Sequence, residues 1–172
     1  SIASSTLVGQ SLGAGDPESA RGYGWQTLRL AFVTQTLIAV ALFFAARPIA
    51  LLFGTAYPSL TVGFIEMFAM GVLAFSVART MQGALRGAGD PLWPLWGTMT
   101  GTVLRIAVAA LAPAAGAVLF TVSGLALAPG LGLGLPAIYA AILLDFSVRA
   151  AVNLARFRSG AWETAGARFA GA

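Results

Sequence analysis

Long apolar runs, separated by short clusters of polar, Gly and Pro residues, dominate the chain. A helix needs about 20 apolar residues to cross a bilayer. Four runs reach that length, at about 22–46, 61–85, 92–119 and 136–157. The opening stretch, residues 1–12, is too short to span and has the pattern of the end of a helix, and residues 158–172 form a tail. The pattern therefore predicts four membrane-spanning helices, preceded by part of another.

The stretch between Leu92 and Pro136 admits two interpretations. It is about twice as long as one span requires, and Arg105 is its only charge. It holds either two spans, or one span followed by a Gly- and Pro-rich hairpin at residues 128–136. One span puts most arginines on one side of the membrane, in agreement with the positive-inside rule. That side has Arg21, Arg86, Arg156, Arg158 and Arg168, and the other has Arg47 alone. We therefore expect one span in this stretch. We also expect the protein in the plasma membrane, with its arginine-rich side facing the cytoplasm.

Composition also indicates a membrane protein. Hydrophobic residues make up 58% of the chain and charged residues 9%, whereas a typical soluble domain has about 25% charged residues. The net charge of +4 comes from ten arginines, with no lysine, against six acidic residues. These arginines are scattered and form no basic face, so the expected partner is the lipid bilayer and not nucleic acid. The expected fold class is all-α, a polytopic transmembrane helix bundle.

The residue types exclude most catalytic and metal chemistry. The chain has no Cys and no His, which removes disulfides, thiol nucleophiles, His acid–base catalysis and Cys/His metal sites. Gly9–Gly13 matches the GxSxG pattern of hydrolase nucleophiles, but no His is present to take the Ser11 proton and no strand precedes it. We expect neither an enzyme nor a bound metal or other cofactor.

One phrase occurs twice. Gly9–Pro17 and Gly83–Pro91 each follow an apolar run and end in Gly-Ala-Gly-Asp-Pro. Gly can take the left-handed conformation that ends a helix, Asp is a favoured N-cap, and Pro suits the first helical position. Each copy predicts a tight turn between helices, either a connector alone or a hinge or gate of a transporter. The turn residues are Gly13, Gly15, Asp16 and Pro17, then Arg86, Gly87, Gly89, Asp90 and Pro91. Because two spans separate the copies, both are expected at the cytoplasmic face.

Three charged residues are expected deep in the membrane. Asp145 lies about 18 Å from the cytoplasmic end of the last span, and Arg105 lies about 20 Å deep in the antiparallel span before it, at 1.5 Å per residue. Arg149 is one helical turn from Asp145. Asp145 either belongs to an ion pair that joins two helices or binds a coupling cation or proton. A permanent arginine partner would make it a poor proton carrier, which favours the ion pair.

Other features of the spans concern packing and the interface. Gly97 and Gly101 form a GxxxG pattern, which lets two helix backbones approach closely. Arg29 and Arg79 each lie about two turns from a cytoplasmic end, where they either snorkel to the interface or line a basic cavity. An aromatic belt is expected at the cytoplasmic interface. Its members are Trp25, Trp93, Trp96 and Trp162.

The two Gly-Ala-Gly-Asp-Pro phrases, in their sequence context, resemble the multidrug and toxic compound extrusion (MATE) family. The resemblance is carried by Thr6–Glu18 with Ala20-Arg21, by Gln82–Pro91, and by the ending Ala155–Trp162 after Arg149. It implies the C-terminal portion of a twelve-helix transporter with two six-helix halves, from the end of helix eight through helix twelve. The N-terminal half of the same transporter is then an expected partner.

The resemblance also implies a function. Members of the family export amphipathic, often cationic, small molecules by alternating access, driven by inward flow of Na⁺ or H⁺. The chain is therefore expected to be part of a secondary active multidrug exporter with one of these coupling ions. Some members carry an acidic residue about three turns before the arginine of the second phrase, where Val72–Ser76 here has no carboxylate. The alternatives are a lipid-linked sugar flippase of related architecture, and a non-transporting membrane scaffold or truncated fragment.

Overall fold

A computed structural model describes residues 1–54, 58–110, 121–122, 125–126 and 134–165. Its helices are α1 (Ile2–Gly13), α2 (Pro17–Leu52), α3 (Pro58–Gly87), α4 (Leu92–Ala110) and α5 (Gly134–Arg158). Two short strands, β1 (Thr121–Val122) and β2 (Leu125–Ala126), pair antiparallel. Helices dominate the described residues, and the expected all-α transmembrane bundle is confirmed.

Helices α1, α3 and α5 run parallel to one another. Helix α3 packs on α5 with Phe64 beside Tyr139 and Phe75 beside Phe146, at ring-centroid distances of 5.2 and 5.0 Å. Helices α2 and α4 follow α1 and α3 through tight turns and return in the opposite direction. Three helix C-termini therefore lie together at one end of the bundle. We call this the elbow end, and it contains Gly13, Gly87 and Arg158.

Small residues bring α1 and α3 into backbone contact. A Cβ atom on Gly87 would collide with the Ser5 backbone, and one on Gly83 would collide with the Ser1 backbone. A Cβ atom on Gly9 would lie 2.9 Å from the carbonyl oxygen of Gly87. Small residues spaced four apart allow such close approach, and the resulting van der Waals contact is a main source of helix association in lipid. Gly87 is thus the last residue of α3 before the second turn and also a point of close contact between α1 and α3.

Helix α2 continues past the position where the sequence pattern predicts its end. The apolar run that predicts this span stops at about residue 46, just before Arg47-Pro48, but the helix runs through Pro48 to Leu52. A proline removes one backbone hydrogen bond, and membrane helices tolerate this loss when neighbouring groups compensate. The helix ends instead where Gly54 takes a φ of 56° and donates its N–H to the Leu51 carbonyl at 3.1 Å. Its 36 residues correspond to about 54 Å, which exceeds the roughly 30 Å hydrocarbon core.

Three described helices are long and apolar enough to cross a membrane. They are Pro17–Leu52, Thr61–Gly87 and Ile138–Arg158. The described part of α4, which contains Arg105 and ends at Ala110, is not one of these three candidate spans. The rest of the expected 92–119 span and most of the expected hairpin at 128–136 lie outside the described residues. Many large apolar side chains of α2 are exposed, as suits a surface that faces lipid or another helix.

Candidate functional site

The two copies of the repeated phrase fold into the same turn. In the first elbow (residues 13–17), Gly15 has a φ of 77° and the Asp16 N–H donates to the Ser11 carbonyl at 2.9 Å. In the second elbow (residues 87–91), Gly89 has a φ of 76° and the Asp90 N–H donates to the Leu85 carbonyl at 2.9 Å. This hydrogen bond, with Gly at the left-handed position, is the Schellman ending of a helix. The repeat in sequence is therefore a repeat in backbone geometry.

The aspartates of the two elbows have different partners. Asp16 is exposed and caps α2 by accepting the Ser19 N–H at 2.9 Å. Asp90 is buried and accepts the Nε–H of Arg156, at the end of α5, at 2.8 Å. The sequence predicts an N-cap role for both, but the structure places an arginine from another helix against the second. The Arg156 guanidinium also lies 5.0 Å from the centroid of the Trp93 ring.

The cap at Asp16 has a defined pH dependence. Hydrogen bonds from Ser19, first from its side chain and then from its backbone, lower the pKa of Asp16 below the ordinary value for aspartate. A lowered carboxyl pKa stabilises the folded state above the unfolded pKa, and this contribution disappears as the pH falls through the folded pKa. The cap is therefore fully formed at neutral pH.

Because Asp90 pairs with Arg156 whereas Asp16 caps α2, we expect Asp90→Asn to destabilise the protein clearly more than Asp16→Asn does. Asn is as good an N-cap as Asp, so the second variant should shift the unfolding midpoint little. Removing the charge from Asp90 weakens a charged hydrogen bond at a buried position, which costs about 1.5–3 kcal/mol. Thermal unfolding in detergent, followed by tryptophan fluorescence, measures both variants. Equal shifts would contradict the assignment of different roles.

The remaining elbow residues predicted from the sequence lie at the turns. Gly13 is the last residue of α1, and Pro17 is the first residue of α2. Arg86 is exposed in the last turn of α3, and Pro91 directly precedes α4. These positions connect helices at the elbow end.

Another turn with a left-handed glycine follows α5, and it was not among the turns predicted from the sequence. Gly160 has a φ of 71° and donates its N–H to the Phe157 carbonyl at 3.4 Å. The chain then folds back, so that the Trp162 ring is fully buried and stacks on Phe157 with centroids 4.8 Å apart. The indole N–H donates to the Phe157 carbonyl at 2.7 Å. Stacking and this hydrogen bond hold the Trp162 ring inside the bundle at the elbow end, and its interfacial depth stays a prediction.

The turn after α5 also contacts the beginning of α2. Arg21 Nη2 lies 2.8 Å from Glu163 Oε1. Gly24 lies directly under the Phe157 ring, which a Cβ atom at residue 24 would strike. An exposed ion pair contributes only about 0–1 kcal/mol, so the buried aromatic contact contributes more to this joint. The elbow end thus links the beginning of α2, the second elbow and the end of α5.

Within the bundle, Asp145 is fully buried between two arginines. Arg149, on the same helix, makes a bidentate contact in which Nη2 lies 2.9 Å from Asp145 Oδ2 and Nε donates to Oδ1. Arg105 of α4 places Nη1 3.3 Å from Asp145 Oδ2. The structure thus brings together Asp145 and Arg105, which the sequence placed at similar depth, and Arg149, which it placed one helical turn from Asp145. Arg149 Nη2 also donates to Thr102 Oγ1 at 2.9 Å, which adds a second link between α4 and α5.

The GxxxG pattern on α4 makes room for this network. A Cβ atom on Gly101 would collide with Asp145 Oδ1, and one on Gly97 would lie 3.7 Å from Asn153 Oδ1. Gly101 therefore faces Asp145 and Arg149 of α5, and Gly97 faces Val152 and Asn153. Asn153 is buried, and its Oδ1 has no hydrogen-bond partner within the described ranges. A side chain at residue 101 would therefore disturb both the packing of α4 on α5 and the position of the Asp145 carboxylate.

A second, weaker set of polar contacts joins α3 to α4. Gln82 Nε2 lies 3.4 Å from Thr98 Oγ1, and Arg79 Nη1 lies 3.5 Å from Gln82 Oε1. Thr98 and Thr102 are one turn apart on the same face of α4. These two neighbouring sets of polar contacts are together called the polar seam: Arg79, Gln82 and Thr98 in the weaker set, and Thr102, Arg105, Asp145 and Arg149 in the other.

Gln82, Thr98 and Thr102 were not among the site residues predicted from the sequence. A signal for two of them was present in the sequence. Thr98, Thr102 and Arg105 follow one another at helical spacing, which places them on a single face of α4. No spacing pattern in the sequence pointed to Gln82, because Thr98, the residue that it contacts, lies on another helix.

These features together define a multi-pass membrane protein whose helices bury a charge network. A model of the MatE family matches residues 1–111, which is more than half of the chain. The chain therefore belongs to the MatE family, and the resemblance seen in the repeated phrases is confirmed.

One relative adds detail to this assignment. The chain is 28% identical over 165 residues to the probable multidrug resistance protein NorM of Thermotoga maritima. The match covers 95% of this chain and 32% of that protein, so the chain spans about a third of the relative's length. No solved structure matches the chain.

Proposed function

We propose that the chain is part of a secondary active exporter of amphipathic small molecules, which works as a Na⁺ or H⁺ antiporter by alternating access. Its membership of the MatE family and its similarity to a probable multidrug resistance protein support this function. The observation that carries the proposal is the structural repeat. Two parallel helices, α1 and α3, end in the same elbow at the same end of the bundle. Internal repeats of this kind are a common construction of transporters.

We further propose that the elbow end faces the cytoplasm and that the membrane is the plasma membrane. Four arginines of the described helices lie at this end, and they are Arg21, Arg86, Arg156 and Arg158. Arg47 lies near the opposite end of α2. This asymmetry agrees with the positive-inside rule.

For Asp145, we propose a role as an anchor between α4 and α5 and not as the carrier of the coupling ion. Both of its oxygens already accept hydrogen bonds from Arg149, and Arg105 lies against one of them. A cation could bind the carboxylate only after displacing arginine from a buried position, and an unpaired buried charge costs several kcal/mol. Ion coupling would then use residues elsewhere in the protein.

The experiment uses the protein as its gene encodes it, in inverted membrane vesicles. We expect the cationic dye ethidium to accumulate inside the vesicles when a Na⁺ or H⁺ gradient of the correct direction is imposed. Collapse of the gradient with monensin or nigericin should stop the accumulation. Vesicles from cells that lack the protein provide the background rate.

Two results would contradict the exporter proposal. One is dye movement that ignores both ion gradients, and the other is no dye movement above background, which would favour the flippase alternative. The orientation is read in intact cells from a cysteine at exposed Ser59, far from the elbow end, and another at exposed Ala14. A membrane-impermeant maleimide should label the first but not the second, and the opposite pattern would reverse the proposed orientation.

A further inference from the structure

A small polar cavity lies between α1 and α3, close to the elbow end. Its volume is about 150 Å³, which is room for several water molecules. The side chains around it belong to the start of α1 and to the last turns of α3. They are Ser1, Ile2 and Ser5, then Arg79, Gln82 and Arg86. We call this cavity the basic pocket, because its two charged side chains are both arginines.

No carboxylate neutralises the basic pocket within the described residues. The ion pairs in that part of the chain use other arginines, so Arg79 and Arg86 have no acidic partner there. Helix α1 contains no acidic residue. Glu66 of α3 lies about 20 Å before Arg79 along the helix, and Asp90 after the second elbow is paired with Arg156. Two positive charges on one cavity repel each other, so an anion between them is favoured.

The place of the two arginines along α3 puts the basic pocket near the membrane interface. Arg86 is in the last turn of α3, and Arg79 is two turns earlier, about 10 Å along the helix. Both are exposed, and the long stem of arginine lets its guanidinium reach the interface from inside the membrane. Buried Gln82 holds Arg79 at the pocket, because its Oε1 lies 3.5 Å from Arg79 Nη1 and its Nε2 lies 3.4 Å from Thr98 Oγ1. Basic pockets between helices on the cytoplasmic side are typical places for anionic lipid headgroups.

Apolar surface continues from the basic pocket toward the middle of the membrane. Phe75 lies one turn before Arg79, and its ring centroid is 5.6 Å from the Arg79 guanidinium. Phe75 is 38% exposed, and Ile2 at the pocket is 83% exposed. Positive charge near the interface and apolar side chains deeper match the order of headgroup and acyl chain in a phospholipid. A free phosphate ion would use only the charged part of this surface.

From these observations we propose that the basic pocket binds the headgroup of an anionic phospholipid. Its phosphate lies between Arg79 and Arg86, and its acyl chains run along Ile2 and Phe75. Guanidinium groups donate paired, charge-assisted hydrogen bonds to phosphate oxygens, which suits this headgroup. The lipid stays at the site and is not a transported solute. The proposed orientation of the elbow end determines only the leaflet that supplies it, which is the cytoplasmic one.

Thermal unfolding of the purified protein, as its gene encodes it, tests the proposal in an uncharged detergent at low ionic strength. A ligand that binds the folded state raises the unfolding midpoint by an amount that grows with its concentration. Three additives are compared: phosphatidylglycerol, phosphatidylcholine with the same acyl chains, and inorganic phosphate. The pocket variant is Arg79→Gln with Arg86→Gln. The matched control is Arg29→Gln with Arg47→Gln, which removes the same charge from exposed positions of α2.

We expect phosphatidylglycerol to raise the midpoint of the unchanged protein more than phosphatidylcholine does, because choline places a positive charge beside the arginines. In the pocket variant, the half-maximal shift should need at least about tenfold more phosphatidylglycerol, because charged hydrogen bonds to the phosphate are lost. The control variant should respond within about twofold of the unchanged protein. Arg79→Lys with Arg86→Lys should recover part of the response, because the charge is retained but the paired hydrogen bonds are not.

The pocket variant is expected to fold. Both arginines are exposed, and neither forms an ion pair within the described ranges, so the midpoint without lipid should stay close to that of the unchanged protein. If the double variant does not fold, Arg86→Gln alone, at the exposed end of α3, provides the comparison. It should still need several-fold more phosphatidylglycerol, because one of the two phosphate contacts is lost.

Three results would overturn the proposal. One is a pocket variant that responds to phosphatidylglycerol as the unchanged protein does. If that variant also unfolded at a lower temperature without lipid, the two arginines would instead pair with an acidic segment of the protein. Another is an equal response of the unchanged protein to both lipids. The third is protection by inorganic phosphate at the same concentration as phosphatidylglycerol, which would assign the pocket to a free anion.

Dye transport in inverted vesicles separates the lipid site from the proposed function. An arginine-dependent response to phosphatidylglycerol without ethidium transport would support the lipid site and contradict the exporter. Ethidium transport driven by an ion gradient, without any arginine-dependent response to the lipid, would support the exporter and refute the lipid site.

Discussion

Replacement of Asp145 by alanine is expected to lower the stability of the protein more than replacement of any other acidic residue in the described part of the chain. Asp145 is fully buried, and both of its carboxylate oxygens contact arginine side chains. Removal of the carboxylate leaves Arg149 largely buried without its anionic partner and weakens the α4–α5 contact. Breaking a buried ion pair in this way costs about 3–5 kcal/mol. Unfolding in detergent, followed by tryptophan fluorescence, measures the change.

Two further variants identify the cause of this loss. Glu66→Ala removes an acidic residue from α3, for which no ion pair is found within the described ranges, and should change stability little. Addition of Arg149→Met to Asp145→Ala should recover part of the loss, because it removes the unpaired charge and leaves an apolar side chain of similar length. A loss below about 1 kcal/mol for Asp145→Ala would show that the ion pair is not a stabilising anchor.

Gly87→Ala is the second substitution for which we expect a large effect. The added Cβ atom would meet the Ser5 backbone, which cannot move away as a flexible side chain can. Helices α1 and α3 must therefore separate along the stretch where they touch. Overpacking of this kind typically costs about 1–3 kcal/mol, occasionally more. The loss should appear as a lower midpoint of thermal unfolding and a smaller yield of monodisperse protein.

Gly22→Ala is the matched control for this variant. Gly22 also lies within a helix, and a Cβ atom there would have no atom within 4 Å. Alanine is a better helix former than glycine by about 0.5–1 kcal/mol, so this variant should be neutral or slightly stabilising. If Gly87→Ala behaved like Gly22→Ala, the close backbone contact between α1 and α3 would be wrong.

The acidic residues of the two elbows show how far reasoning from the sequence reaches. The phrase Gly-Ala-Gly-Asp-Pro predicted two tight turns, and both form with left-handed Gly15 and Gly89. Local rules were sufficient there, because a Schellman ending depends on backbone conformation and on residues close in the chain. The same rules predicted a capping role for Asp90, which instead pairs with Arg156 from a distant part of the chain. A side chain that can bond locally or across helices takes the partner that tertiary packing provides.

The sequence by itself determined the membrane environment, the helical class, the repeated elbows and the similar depth of Asp145 and Arg105. These properties follow from apolar length, residue type and the rise per residue, all of which are local quantities. Only the tertiary structure decided that Trp162 is buried, that Gly87 touches Ser5, and that Gln82 and Arg79 join the polar seam. Those contacts connect residues far apart in the chain. They depend on the rotation and register of one helix against another, which packing of small residues determines and which hydropathy does not encode.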